Sequence, residues 1–173
     1  MGSAPASDEA LAGLWTRRCG KRKEQYYDYG YRQADLLLQH VLSDRSCTHV
    51  LVTNGDNLYT RAFLPATCGH MQRGAMDLIS YLFSSHYKYT GEYRKLGKVE
   101  RAGQDVLFKT RLMKSWVDLG AVIVRADVLR REPDLGFFTD CHVWREADGR
   151  FIERLARRNV TRVVLERILY VHQ

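Results

Sequence analysis

Asn54, Asp56 and Asn57 place three oxygen-bearing side chains within four residues, around Gly55. Carboxylate and amide oxygens are the donors a hard divalent cation takes, and they also hydrogen-bond polar substrates. The glycine among them lets the backbone turn tightly or approach a ligand closely. The same residue types are also the favoured occupants of a plain surface turn, so the tetrapeptide alone leaves both readings open. Further along, Asp118 and Gly120 stand in Trp116-Val117-Asp118-Leu119-Gly120, Asp148 opens a run with helical spacing, and His172 closes an apolar run at the end of the chain. A carboxylate or an imidazole at such a place is suited to proton transfer or to holding a cation. Each also has a structural role open to it: turn former, helix cap or packed side chain.

The elements around these residues follow from the apolar pattern. Val50-Leu51-Val52-Thr53 is a continuous apolar and β-branched run that meets a turn signal, which predicts a buried strand over His49–Thr53. Ligands of open α/β sheets bind outside the carboxyl ends of strands, which is where the Asn54–Asn57 turn falls. Ala34, Leu37, Leu38, Val41 and Leu42 predict a helix ending near Ser43, and a helix leading into a buried strand is the parallel-sheet pattern. After the turn, Tyr59–Leu64 reads as a short helix stopped around Pro65, followed by a strand over Met76–Phe83. The polar, basic stretch from Ser84 to Lys114 is read as a loop or an edge hairpin over the site. Trp116–Arg125 reads as another buried strand, Ala126–Arg131 as a helical turn and Pro133–Asp140 as loop. Asp148–Arg158 reads as the last helix, with Asp148 as its N-cap. Two short strands, Thr161–Leu165 and Ile168–Val171, close the chain. Near the start, Leu11, Leu14 and Trp15 have the spacing of a short amphipathic helix between Glu9 and Lys23.

With 173 residues and 45% hydrophobic content, the chain is long enough for one domain with a proper core. Lys and Arg number 27 against 20 Asp and Glu, giving a formal charge of +7 and a pI near 9.4. Acidic partners such as nucleotides, nucleic acid or an anionic membrane suit that balance. The charges are spread out, however, with one dense run from Arg17 to Lys23 and no nucleic-acid motif, so nucleic acid is not favoured. No apolar run has the length of a membrane helix, which reads as a soluble domain, with cytoplasm or Golgi lumen both open as compartments. Cys19, Cys47, Cys68 and Cys141 are too few and scattered for a disulfide scaffold. The pairs Cys68-Gly69-His70 and Cys141-His142 do not have the spacing of a zinc finger.

In its order of features the chain resembles the GT-A glycosyltransferases, the nucleotide-diphospho-sugar transferases of the family 2 kind. In that family a buried strand ends in an Asp-any-Asp motif that holds a divalent metal on the donor diphosphate. Val50–Thr53 followed by Asn54-Gly55-Asp56 looks like that strand and motif. Asp118-Leu119-Gly120-Ala121-Val122-Ile123-Val124-Arg125 looks like the family's later glycine-containing strand. Ala147-Asp148-Gly149-Arg150-Phe151 looks like its acidic residue at a helix start, commonly the general base. Tyr170-Val171-His172-Gln173 resembles the terminal strand with a His near the metal.

The resemblance covers roughly residues 30–173. It implies an α/β fold with a mixed, mostly parallel sheet and flanking helices, over a domain at 25–173 that follows a tail and short helix at 1–24. It implies an inverting metal-dependent transferase that uses Mn²⁺ or Mg²⁺. Its partners would be a nucleotide-diphosphate sugar and a glycan, protein or lipid acceptor. In site terms, Asp148 is the implied base, Asp56 and His172 the metal ligands, and Asn54, Asn57, Asp118, Gly120 and Trp116 the substrate contacts. Trp116 and Trp144 have aromatic faces suited to a sugar ring, and equally to a core.

The motif departs from the pattern at Asn54, where the family has Asp, which removes one negative charge and shifts cation binding toward the diphosphate. The two strand–helix units that grip the nucleotide in that family have no counterpart before Tyr31, so the domain is read as incomplete at its N-terminus. The rival expectation is a catalytically inactive module of the same fold, binding an acidic partner through its basic surface. A metallophosphoesterase also uses a Gly-Asp turn after a strand, but the further His/Asp clusters it needs do not appear.

Overall fold

The computed structural model describes residues 30–85, 99–102, 105–132, 135–137 and 147–172. Expectations for the amino-terminal helix, the dense basic run, Trp144 and the Cys141-His142 pair lie outside these residues. Helix α1 (Tyr31–Ser43) leads to strand β1 (His49–Leu51), then a turn, the two-residue strand β2 (Leu58–Tyr59) and helix α2 (Phe63–Gln72). Strand β3 (Leu78–Ser85) follows, with a hairpin of β4 (Val99–Ala102) and β5 (Asp105–Phe108) after it. A 3-10 turn at Leu119–Ala121 enters β6 (Val122–Arg125), which runs straight into α3 (Ala126–Arg130). Helix α4 (Ala147–Ala156) and the long strand β7 (Arg162–His172) complete the described chain.

The seven strands form one mixed sheet in the order β1-β6-β3-β5-β4, with β7 alongside β3 and β2 on β7. The α/β class expected from the sequence is therefore present, with a correction to the pairing. Only β3 and β7 pair in parallel, and the other five pairings are antiparallel. The expectation of a mostly parallel sheet came from the order of helix and buried strand and from the family resemblance, and buried apolar runs look alike whichever way their neighbours point. In β3, Leu78 packs into one core while Ile79, Tyr81 and Phe83 pack into the other. The first core joins α1, α3 and α4 through Leu38, Val128, Leu129, Phe151, Ile152 and Leu155. The second lies on the opposite face, where α2 contributes Phe63, Ala66 and Met71.

Strand direction sets the end of the sheet at which loops gather. β1 and β3 both run antiparallel to β6, and β7 runs parallel to β3, so β1, β3 and β7 all point the same way. Their carboxyl ends meet the start of β6 and the start of β2 at one edge. Asp77 ties the opposite edge together: its carboxylate lies 2.6 Å from Arg125 Nη2 and accepts from Thr161 N–H at 2.8 Å and Thr161 Oγ1 at 3.0 Å. The starts of β3 and β7 and the end of β6 are thus fixed by one buried carboxylate.

Local expectations also shift. Pro65 does not stop a helix at Leu64. It is the third residue of α2, where the backbone N–H has no intrahelical acceptor and its loss is cheap. Tyr59 belongs to β2, not to a helix. The strand expected over Trp116–Arg125 is confined to Val122–Arg125, with the 3-10 turn before it. The two closing strands are one, interrupted in register where Leu165 faces Tyr81 and Ile168 faces Leu82. Asp148 is the second residue of α4 and not its cap. The hairpin of β4 and β5 is the edge hairpin that the polar middle suggested.

Candidate functional site

Side chains from β2, β3 and β7 converge on Asp118 and Gly120. Asp118 is extended and its Oδ1 accepts from Gly120 N–H at 2.9 Å, which shapes the 3-10 turn. The Tyr170 hydroxyl donates to the same Oδ1 at 2.8 Å. Gly120 offers its carbonyl to two further phenols, Tyr59 at 2.9 Å and Tyr81 at 2.7 Å. A side chain is excluded at this glycine, because a Cβ there would stand 2.8 Å from Tyr170 Cζ and 2.9 Å from its hydroxyl oxygen. The three rings come from β2, β3 and β7. Tyr59 and Tyr170 stack at 5.3 Å, and Phe83 closes on Tyr170 at 5.5 Å.

His172, the last described residue of β7, sits at the rim of this cluster. Its Nδ1 is 3.3 Å from Ser85 Oγ, and its Nε2 is 3.8 Å from Asp118 Oδ2, an ion-pair distance once the imidazole is protonated. Oδ1 of Asp118 is thereby committed to the fold while Oδ2 faces the histidine. Burial pushes the Tyr81 and Tyr170 hydroxyls far above the ordinary phenol value, with repulsion from Tyr59 adding for Tyr81 and from the Asp118 carboxylate for Tyr170. Burial also raises Tyr59. All three phenols therefore act as hydrogen-bond donors across the physiological range.

The Asn54–Asn57 turn attaches to this cluster. Asn57 N–H donates to Asn54 carbonyl at 3.3 Å, closing a four-residue turn, and Asn57 Nδ2 donates to Thr53 Oγ1 at 3.2 Å. Thr53 precedes the turn, and Tyr59 follows it as the second residue of β2. Pairing of Leu58 with Val171 brings the end of the turn beside the strand end that carries His172. Asn54 and Asp56 are exposed. Gly55 does not have a positive φ, and nothing lies within 4 Å of the place a Cβ would take. Tight turning therefore does not require glycine at that position.

Of the residues singled out from sequence, Asp118, Gly120 and His172 are in direct contact or within ion-pair reach, and Asn57 is brought beside them by the pairing of its neighbour Leu58 with Val171. Trp116 and Asp148 lie to one side, around a loop. Arg111 N–H donates to Trp116 carbonyl at 3.2 Å, and the loop so closed packs on the first turn of α4. A Cβ on Gly149 would stand 3.1 Å from Lys114 Cα and from Ser115 N. Asp148 Oδ1 accepts from Gly149 N–H at 2.7 Å.

Sequence reasoning missed Tyr59, Tyr81, Tyr170 and Ser85. The available signal was a tyrosine or serine close to the end of each apolar run, and it gives no hint that the four share one acceptor cluster.

No protein-family model matches the chain, and no curated protein matches it in sequence. Among the described residues, no group of three or more His, Cys, Asp or Glu side chains is placed to hold a metal ion. His172 Nε2 and Asp118 Oδ2, 3.8 Å apart, are a borderline and a hard donor at one edge of the sheet, with Asp56 exposed on the neighbouring turn, short of a protein-only cage. A cation that takes one or two protein ligands and completes its shell with phosphate oxygens and water suits such a donor set. The pair Cys47 and Cys68 are free thiols. No helix among the described residues is long and apolar enough to cross a membrane.

Proposed function

We propose that this chain is a GT-A-like glycosyltransferase domain that moves a sugar from a nucleotide-diphosphate donor to an acceptor hydroxyl. The observation that carries the reading is the convergence of Asn57, Asp118, Gly120 and His172 beside the carboxyl ends of β3 and β7. These residues were selected from three separate segments spread over more than a hundred positions, and ligands of an open α/β sheet bind outside the carboxyl ends of its strands, here those of the parallel pair β3 and β7. Gly55 fits the reading: its own fold does not require glycine, and the open space about it would let a diphosphate approach the backbone.

In this reading Asp56 and His172 hold Mn²⁺ or Mg²⁺ together with the diphosphate, and the cation supplies charge neutralisation for the leaving group. The chain's own residues do the rest. Asn54 and Asn57 hydrogen-bond the donor beside the turn. Asp118, fixed through Oδ1 by Gly120 N–H and the Tyr170 hydroxyl, offers Oδ2 to a sugar hydroxyl. Asp148 takes the proton from the acceptor hydroxyl as its oxygen bonds to the anomeric carbon and the bond from that carbon to the diphosphate breaks.

Calorimetric titration of UDP and GDP with Mn²⁺, on the wild-type chain and on Asp56→Ala, tests the reading. Metal-dependent binding that is lost in Asp56→Ala supports it. A folded chain that binds neither nucleotide overturns it and favours an inactive module with a basic surface.

A further inference from the structure

The loop between β5 and the 3-10 turn carries a cation that no described carboxylate neutralises. Arg111 is exposed and its guanidinium lies over the ring of Trp116, with Cζ 4.3 Å from the centroid. The loop is closed by three backbone hydrogen bonds: Arg111 N–H to Trp116 carbonyl at 3.2 Å, Met113 N–H to Arg111 carbonyl at 2.7 Å, and Trp116 N–H to Met113 carbonyl at 3.1 Å. Ser115 holds a positive φ of 62° at its tip. The stem is anchored by Leu112, packed against the first core, and by Val117, which is buried within it. Alternation along the chain then turns Asp118, the next residue, toward Tyr170 and His172. On the other side the loop rests on the first turn of α4, which carries Asp148.

We infer that this loop is the acceptor subsite, and that it takes a glycan bearing a carboxylate or a sulfate close to the accepting hydroxyl. The inference rests on the transferase reading for the word acceptor, while the anion preference stands on the loop alone. An arginine laid on an aromatic face is held in place, and its planar donor edge matches two oxygens of a carboxylate or sulfate with two parallel hydrogen bonds. Among the described residues Arg111 makes no ion pair that would occupy this edge. Asp118 and Asp148 stand on either side of the loop, which puts a bound anion beside the carboxylates assigned to sugar contact and proton transfer.

The experiment uses three disaccharides, ending in glucuronate, in galactose 6-sulfate and in neutral glucose. Each is titrated into the full chain, without nucleotide and with UDP and Mn²⁺. An anionic disaccharide is expected to bind about tenfold or more tighter than the neutral one, the range of a charge-assisted hydrogen-bonded pair. Arg111→Leu should erase that preference, and Arg111→Lys should restore part of it. The carboxylate and sulfate arms identify which anion is preferred. Equal binding of all three sugars, or a preference that survives Arg111→Leu, overturns the inference. Nucleotide binding is read separately in the same samples, so loss of anion preference with UDP binding intact removes this subsite and leaves the transferase reading standing. Anion preference without any nucleotide binding does the reverse.

Discussion

Gly120→Ala puts a methyl group into the most crowded point of the site. The new Cβ would meet Tyr170 Cζ at 2.8 Å, its hydroxyl oxygen at 2.9 Å and Cε2 at 3.0 Å, all shorter than carbon contacts tolerate. Tyr170 has no room to retreat, since its ring is fully buried and hemmed by Tyr59, Phe83 and His172. Overpacking of this kind costs about 1–3 kcal/mol. Any shift of the ring also pulls its hydroxyl off Asp118, a hydrogen bond to a charged group worth about 1.5–3 kcal/mol. The expected loss is therefore about 3–5 kcal/mol, read as a lowered midpoint in urea denaturation with an unchanged slope. Tyr170→Phe alone removes the hydroxyl and keeps the ring, so it should lose only the hydrogen-bond part. In the double variant Gly120→Ala/Tyr170→Ala the methyl has no ring to strike. A double-mutant cycle should then show coupling of more than 1 kcal/mol in the recovering direction, within the range for residues in contact. A Gly120→Ala chain as stable as wild type, or purely additive costs in the cycle, would refute the close approach and the reasoning built on it.

Gly55→Ala should behave in the opposite way. With open space at the Cβ position and no positive φ, the substitution should leave stability unchanged or raise it by about 0.4–1 kcal/mol, while a methyl against a bound diphosphate weakens UDP–Mn²⁺ binding by about ten- to hundredfold. Undiminished nucleotide affinity in a stable Gly55→Ala chain would show that nothing approaches the backbone there. A second expectation concerns alkaline pH. Tyr59, Tyr81 and Tyr170 are raised above the ordinary value near 10, so their neutral forms are favoured by the fold. The stability this contributes is fully present below pH about 10 and is lost as the pH climbs beyond it, because the unfolded chain then releases protons that the native chain keeps. Phenolate absorbance followed together with near-ultraviolet circular dichroism should show these three of the ten tyrosines ionising only as tertiary structure disappears. Reversible ionisation of all ten in an intact fold would contradict the burial.

What could be read from the sequence was burial and local turn chemistry. The α1 pattern, the apolar runs of β1, β3 and β6 and the turn at Asn54–Asn57 are each decided within a few residues; each element exists where an apolar run stands, though β1 ends two residues early, β3 is shifted by two and β6 keeps only the last four residues of its run. Pairing is decided elsewhere. Nothing in Val122-Ile123-Val124 says that it lies between β1 and β3 and runs against both, because a strand covered on two faces is apolar in any direction. Pro65 misled because proline ends a helix in its interior but is tolerated in its first turn, and the sequence does not mark which turn it occupies. The closing strand read as two because Glu166 and Arg167 interrupt the apolar pattern, and the sheet accommodates them by a shift in register without a break. Asp118 and Gly120 stood out from local sequence, whereas Tyr170, fifty positions later, did not, although it is the contact that makes Gly120 obligatory.

This arrangement separates two kinds of residue at the same edge. The buried phenols Tyr81 and Tyr170 and the half-buried Tyr59 need acceptors, and the Gly120 carbonyl takes two while Asp118 Oδ1 takes the third. The contacts that satisfy the core are therefore the contacts that aim Asp118 Oδ2 at His172. Positioning on strands whose rotamers are locked by packing gives a site little slack. The same economy makes Asp118, Gly120 and Tyr170 poor probes of function, since altering any of them disturbs the fold and the site together. Asp56, Gly55 and Arg111 are different. All three are exposed on loops, and the described structure assigns Asp56 and Gly55 no packing role. Arg111 covers one face of Trp116, and its loss leaves the backbone closure of its loop in place. A change in ligand binding at these three positions, with the midpoint of unfolding unmoved, is a statement about chemistry. The same change at Asp118 is a statement about chemistry and stability at once, and only the comparison of the two sets tells them apart.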